Sequence, residues 1–326
     1  MGSAGGAVGL RGADRPGRVG HGDAAARGAG PGRAAGGAAR AGPHLGRRRH
    51  GRARAHVTIV AVDLGGTRLK SAVLTGGVPG PVTAVAHGGD WLPALRVAVS
   101  GASAVALCVP GVVSSGRVVS LPGKLPGIEN ADLAELLGLP VLLVVNDAIA
   151  YGVGAATACS EHGRVVVVTL GTGVGCAVVE DGRPLGRGPL GGGVLGGQIV
   201  IGEQSGPIDT SGAQGTFEAR CRADSLVASV PGAVDVASAY ALVAAGNPDA
   251  VQGFSDYRSW LVRGLAALCL AHAPDCAVVG GGAARAELLD GLEHELRAHL
   301  WHGQSVVLRL DELGDAAALH GLGLLL

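Results

Sequence analysis

Three short stretches of the chain carry side chains suited to gripping and transferring an anionic group. The first is DLGGTRLK at residues 63–70, and the second is VTLGTGVGC at 168–176. Each sets glycines between apolar, β-branched runs. Glycine lets the backbone turn tightly enough for successive amides to face an anion, and Thr67 or Thr172 adds a hydroxyl donor. One such turn is common for conformational reasons alone, but two of them, about 100 residues apart, can clamp a phosphate chain from both sides. Asp63, beside the first turn, can bind magnesium through water, because that hard cation prefers carboxylates and keeps several waters. It can also serve as a turn residue bonded to its own backbone. The third stretch, VVNDA at 144–148, places Asn146 and Asp147 where a strand meets a helix. Asp147 can take the proton of a substrate hydroxyl, the one general-base task in a phosphoryl transfer otherwise governed by positioning and charge. The competing use of the pair is to cap the helix.

These side chains need elements to hold them. Short β-branched runs predict strands at 57–63, 68–74, 83–86, 104–109 and 141–145, with helices at 92–99, 131–138 and 148–158. The pattern then restarts. Strands are expected at 164–170 and 174–180, helices at 217–230, 233–245 and 254–272, and a strand at 276–279. Two strand–turn–strand hairpins, each opening an α/β segment, predict two related lobes with the site in the cleft between them. The first lobe is expected at 57–158, completed by 312–326, and the second at 159–311.

The composition agrees with this. The 326 residues are 48% hydrophobic, enough for two cores. The zero net charge conceals an asymmetry, because residues 1–55 hold eleven arginines and two acidic residues, leaving +9 there and −9 in the remainder. Residues 1–56 are rich in Gly, Ala and Arg, have almost nothing to bury, and read as a disordered tail. Its Arg47, Arg48 and Arg49 lack the interleaved aromatics of a nucleic-acid surface, and the apolar run behind them is too short for an export signal. No apolar run approaches a membrane span. Cys108, Cys159, Cys176, Cys221, Cys269 and Cys276 form no CxxC pair and read as buried thiols of a cytoplasmic protein. His294, His299 and His302 are not spaced to share one helix face and read as surface residues.

Together the motifs resemble those of the ROK family of sugar kinases and regulators, on the two-lobed actin-like ATPase (ribonuclease H-like) α/β fold. DLGGTRLK and TLGTGVG are similar to the family's two phosphate motifs. The Pro110-Gly111 turn, LPGKLPG at 121–127, VVNDA at 144–148 and VVGGGAA at 278–284 follow in the family's order. The resemblance implies an ATP- and Mg²⁺-dependent kinase. Asp147 would be the base, and Asn146 would help hold the sugar. Asp63, Gly65, Gly66, Thr67, Lys70, Gly171, Thr172 and Gly173 would lie on the phosphates, with Mg²⁺ at Asp63 through water. Gly280, Gly281 and Gly282 would lie on the adenosine, and DAAALHGLG at 315–323 would pack back onto the first lobe.

The sequence departs from the family at the sugar. ROK proteins commonly carry GExGH, whose Glu and His touch the sugar, and the His joins three Cys of a CxCGxxGCxE motif on a structural zinc. Here GGGVLGGQI at 191–199 places Gln198 at the His position and no carboxylate at the Glu position. DTSGAQGTFE at 209–218 places Asp209, Ser211 and Thr216 at the three Cys positions. No structural zinc is expected. Glu218 survives and matches a family sugar ligand, or is an exposed first-turn glutamate favoured by the helix dipole. Two lost hydroxyl contacts remove any warrant for glucose, so a hexose, an amino sugar or a cyclitol is equally admissible as the small-molecule substrate. No nucleic-acid or membrane partner is expected, and a homodimer is compatible with the sequence. A non-catalytic sugar-binding or regulatory protein of the same family is the rival reading. Retention of Asp63, Asn146, Asp147 and both turns opposes it.

Overall fold

A computed structural model describes residues 57–121, 123–161, 163–186 and 188–326. The expected tail, its arginine run included, lies outside the described residues. The first sheet opens with an antiparallel hairpin, β1 (Ile59–Leu64) and β2 (Arg68–Thr75), extended along β2 by the short β3 (Val78–Pro79) and by β4 (Thr83–Ala86). After α1 (Trp91–Ala98), β5 (Ala104–Val109) lies parallel to β1. A small hairpin, β6 (Val112–Ser114) and β7 (Arg117–Ser120), and α2 (Leu133–Leu137) lead to β8 (Val141–Asn146), parallel to β5. The central strand β5, AVALCV, is buried along its whole length, as a parallel strand covered on both faces must be.

The second sheet repeats this plan. Beyond α3 (Asp147–Ala155), β9 (Arg164–Leu170) and β10 (Val174–Glu180) form the opening hairpin, extended by β11 (Arg183–Pro184). Four helices follow: α4 (Phe217–Cys221), α5 (Ala223–Ser229), α6 (Val236–Ala244) and α7 (Pro248–His272). Then β12 (Cys276–Gly280) lies parallel to β9, and β13 (Val307–Leu310) lies parallel to β12 beyond α8 (Ala286–Leu289) and α9 (Leu292–Arg297). The chain closes with α10 (Ala317–Leu325).

Each sheet has one face in a large core. Val60, Val62 and Leu64 pack with Trp91 and Leu95 in the first, and Val166, Val168 and Leu170 pack with Phe217, Tyr257 and Leu261 in the second. The opposite faces are exchanged. Val153 and Ala155 of α3, which follows the first sheet in the chain, join Val165, Val167 and Val278 of the second. Leu319 and Leu322 of α10, which follows the second sheet, join Ala61, Ala72 and Ala106 of the first. The small residues on that face allow the close approach. The two helices cross where a Cβ on Gly154 would overlap the Ala317 carbonyl and one on Gly321 the Ala150 carbonyl. The arrangement is the two-lobed α/β fold with an interlobe cleft.

Several expectations shift. The single helix expected over 217–230 breaks at Arg222, which is extended, because the Ala223 amide is diverted to the Gly171 carbonyl at 2.8 Å. Helix α7 begins six residues before the expected start: Asn247 caps it through the Ala250 amide at 3.1 Å and Pro248 opens its first turn, an Asn-Pro start signal. Strand β13 was not anticipated. Nor were all six cysteines free: Cys159 and Cys276 form a disulfide across 117 residues, whereas Cys108, Cys176, Cys221 and Cys269 are free and buried. The fold brings the turn after α3 against the first residue of β12, a proximity that no spacing reveals. Among the described residues, no helix is long and apolar enough to cross a membrane.

Candidate active site

The cleft, about 500 Å³, is walled by Asp63 of β1, Asn146 and Asp147 at the β8–α3 junction, Gly171, Thr172 and Gly173 between β9 and β10, Gln198, and Glu218 of α4. Asn146 is the N-cap of α3. Its Oδ1 accepts the Ala148 and Ile149 amides at 2.9 and 3.2 Å, and its Nδ2 donates to the Gly111 carbonyl at 2.8 Å. The capping use therefore holds, and it aims the next residue, Asp147, into the cleft. No side chain among the described residues donates to the Asp147 carboxyl. Burial pushes its pKa up, and the Asp63 charge adds to the effect, bringing it to about 6, a value suited to a base working near neutrality.

Asp63 is also raised, mainly by burial, although Lys70 at 3.6 Å and a weak Cys108 thiol bond at 3.6 Å oppose the shift. Lys70 is tied more closely to Asp315 at 2.8 Å. Burial works against the lysine's charge, but the Asp315 hydrogen bond and the two carboxylates hold its pKa above the usual value. Two desolvated carboxylates facing one cleft are a donor set that a hydrated divalent cation would relieve, so the residues fit magnesium. Among the described residues, no group of three or more His, Cys, Asp or Glu is placed to hold a metal ion.

The first turn is pinned by His87, whose Nε2 donates to the Gly65 carbonyl at 2.9 Å while its Nδ1 accepts the Gly89 amide at 3.2 Å. Gly65, Gly66, Thr67 and Lys70 stand outside the cleft lining, as do Gly280, Gly281 and Gly282. The glycines divide into two kinds. Gly66 and Gly171 have ordinary backbone angles, and a Cβ would meet nothing closer than Lys124 Cδ at 3.4 Å and the Gly173 carbonyl at 3.9 Å respectively. The expectation that a turn angle demands glycine at these two positions is thus corrected: neither has a positive φ, and a Cβ at each would meet only ordinary contact distances. Packing does demand glycine at Gly173, where a Cβ would sit 2.7 Å from Glu218 Oε2, and at Gly281, whose φ is +90° and which lies against the Leu170 backbone.

Glu218 is not an exposed helix residue, being only 5% accessible. Its Oε1 accepts the Thr210 amide and hydroxyl at 2.8 and 2.6 Å, and its Oε2 accepts the Val174 amide at 3.1 Å. Three cleft residues escaped the sequence reading. Lys124, from LPGKLPG, reaches the cleft beside Gly66, and its charge bears on Asp147. A cation in a loop of Gly and Pro was its only signal. Thr210 carried none. Tyr151, one helical turn beyond Asp147, donates to Asp311 at 2.5 Å and accepts the Gly281 amide at 3.1 Å, linking α3 to the third glycine turn.

The chain is similar to several known proteins. Residues 93–326 match the family described as the ROK family. An N-acetylmannosamine kinase of Citrobacter koseri is 30% identical over 218 residues, 60% of this chain and 73% of that protein. Two solved structures align over 82% of this chain with a TM-score of 0.68. One is a ROK hexokinase from Thermus thermophilus, 27% identical and 97% covered. The other is a ROK family glucokinase from Streptomyces griseus, in complex with glucose and AMPPNP, 26% identical and 98% covered.

Proposed function

The chain belongs to the ROK family, and from that premise we propose that it is a kinase moving the γ-phosphoryl group of Mg-ATP to a hydroxyl of a sugar or sugar-like polyol. The observation that carries this reading is Asp147: a carboxylate raised to about 6, aimed by its capping neighbour into a cleft whose walls come from both lobes. In the proposed step, Asp147 takes the proton of the acceptor hydroxyl as its oxygen attacks the γ-phosphorus. The bond to the β,γ-bridging oxygen breaks, and ADP leaves with that electron pair. The turns at 65–67 and 171–173 hold the phosphates through amides and Thr172, with Thr67 and Lys70 supporting the first. Asp63 would hold magnesium through water, and the ion supplies neutralisation of phosphate charge when bound. Lys124 adds a protein cation near Gly66. The third turn, Gly280 to Gly282, takes the nucleoside.

Asn146, Gln198 and Glu218 form the acceptor side with Thr210. The kinases among the relatives named for N-acetylmannosamine support an N-acetylated hexosamine as the first candidate. Replacement of the Glu and His of the family's sugar motif keeps other hexoses and cyclitols in the test. The proposed lobes are 57–158 with 312–326, and 159–311. A coupled ADP-release assay over N-acetylmannosamine, glucose, mannose, glucosamine and cyclitols, with ATP and magnesium, decides the matter. Turnover with one acceptor well above the ATPase background is expected. No acceptor-dependent ADP release across the panel, from protein that binds ATP, would favour the non-catalytic alternative.

A further inference from the structure

The loop before α4 contains a buried carboxylate for which the proposed chemistry has no use. Asp209 is 4% exposed. Its Oδ1 accepts the Ser211 amide at 2.8 Å, the Ser211 hydroxyl at 2.6 Å and the Ala213 amide at 2.9 Å, while its Oδ2 accepts the Thr216 hydroxyl at 3.0 Å. Its backbone closes the same loop, the amide donating to the Ala213 carbonyl at 2.8 Å and the carbonyl accepting the Gly212 amide at 3.1 Å. Burial by itself would raise the Asp209 pKa, but the bonds from Ser211, Ala213 and Thr216 outweigh it and hold the group below the ordinary carboxylate value. No charged side chain is among its bonded partners. The loop is cross-linked by one carboxylate, two hydroxyls and two amides.

This cross-link leads to Glu218 by two routes. Thr216 is the N-cap of α4, its Oγ1 accepting the Ala219 amide at 3.2 Å, and α4 carries Glu218 in its first turn. Thr210, the residue after Asp209, gives both its amide and its hydroxyl to Glu218. Asp209 therefore fixes both the helix that bears Glu218 and the residue that bonds it. From Glu218 the connection continues to the Val174 amide, directly after the second glycine turn. Thr210, Ser211 and Glu218 all face the cleft.

We propose that Asp209 is a positioning residue for acceptor recognition. It locks Thr210, Ser211 and Glu218 into one polar wall and ties that wall to the turn at 171–173. The nature of the ligand rests on the sugar-kinase reading; the clasp does not. A wall of hydroxyls and a carboxylate discriminates between polyols only while its donors and acceptors keep their spacing, and a loop supplies that precision only when its own bonds are satisfied. Loosening the clasp should therefore act on the acceptor and leave the nucleotide largely unaffected.

Asp209→Ala and Asp209→Asn would be compared with the parent by steady-state kinetics on the acceptor found in the panel, and by amide hydrogen exchange. Asp209→Ala is expected to raise the acceptor KM at least tenfold with the ATP KM within twofold. It should also speed exchange at Thr210, Ser211, Ala213 and Val174. Asp209→Asn keeps an oxygen acceptor for Ser211 and Ala213 and should recover most of the KM loss. A fall in kcat with acceptor KM unchanged, or an Asn variant no better than Ala, would overturn the proposal. Should Asp209→Ala fail to fold, Ser211→Ala removes one of the four bonds and is read by exchange alone, because Ser211 itself lines the wall; unaltered exchange at Thr210, Ala213 and Val174 then counts against the clasp. If no acceptor is phosphorylated, the kinase reading has failed separately. Exchange still decides the clasp, and unaltered protection of Thr210 and Val174 in Asp209→Ala rejects it.

Discussion

At the scale of single residues, the environment of Asp147 makes two predictions of opposite sign. As the proposed base it must be ionised, so activity of the free enzyme should fall as pH drops below about 6. Asp147→Asn should lower turnover by about 10²–10⁴-fold, the usual worth of a positioned base, while calorimetry still shows ATP binding. For stability, the folded pKa lies above the ordinary 3.8, so the favourable contribution is complete below 3.8 and is lost as pH rises through about 6. The ionised group thus opposes folding at neutral pH, and Asp147→Asn should melt no lower than the parent at pH 8. A variant that is both active and destabilised would remove Asp147 from the mechanism. Gly66 and Gly171 make a parallel case. Because a Cβ at Gly66 or Gly171 would meet only ordinary contact distances and neither φ is positive, Gly66→Val and Gly171→Val should fold with melting temperatures near the parent's and yet bind ATP much more weakly. Unchanged affinity in both variants would mean that neither turn approaches a phosphate.

At the scale of elements, α3 and α10 cross between the two sheets, α3 packing on the second and α10 on the first. The crossing places Gly154 and Gly321 where each helix's backbone meets the other, with the Tyr151–Asp311 bond on the same side as the third glycine turn. Gly321→Ala would force a methyl group against the Ala150 carbonyl, and overpacking of this kind costs about 1–3 kcal/mol. Differential scanning calorimetry should show a melting temperature lower by several degrees, whereas Gly314→Ala, in open space although at φ +52°, should cost less. Equal effects would argue against a tight crossing. The break between α4 and α5 belongs to the same scale. Phe217 to Val230 reads as one helix by its apolar spacing, but Arg222 leaves the helical conformation so that Ala223 can bond the second glycine turn.

For the whole molecule, the expectation of no structural zinc stands as a prediction. A zinc site needs about four ligands, preferably thiolate or imidazole. The residues at the family's cysteine positions instead bond one another, with Asp209 accepting from Ser211 and Thr216. Elemental analysis of protein purified without added metal should find no stoichiometric zinc, and a chelator should leave the melting temperature unchanged once magnesium is restored. About one zinc per chain would show that the loop folds around a metal.

What the sequence determined by itself were the strands, the turns and the repeat of the plan, because these depend on local chemistry. β-branched runs bounded by glycine placed β5, β9 and β10 to the residue. The motif order identified the family, and the strand–helix junction at Asn146 and Asp147 identified the candidate base. Tertiary structure alone decided whatever depends on which distant residues meet. It buried Glu218 behind Thr210 and Val174, brought Cys159 to Cys276, set Lys124 beside Gly66, and packed α3 on the second sheet and α10 on the first. Burial, pairing and pKa are properties of a neighbourhood, and a neighbourhood is assembled from segments distant in the chain, as Cys159 and Cys276 are by 117 residues. Spacing along one segment cannot encode them, which is why the sequence could single out Asp147 as a candidate base but could not show the bonds that gather on Asp209.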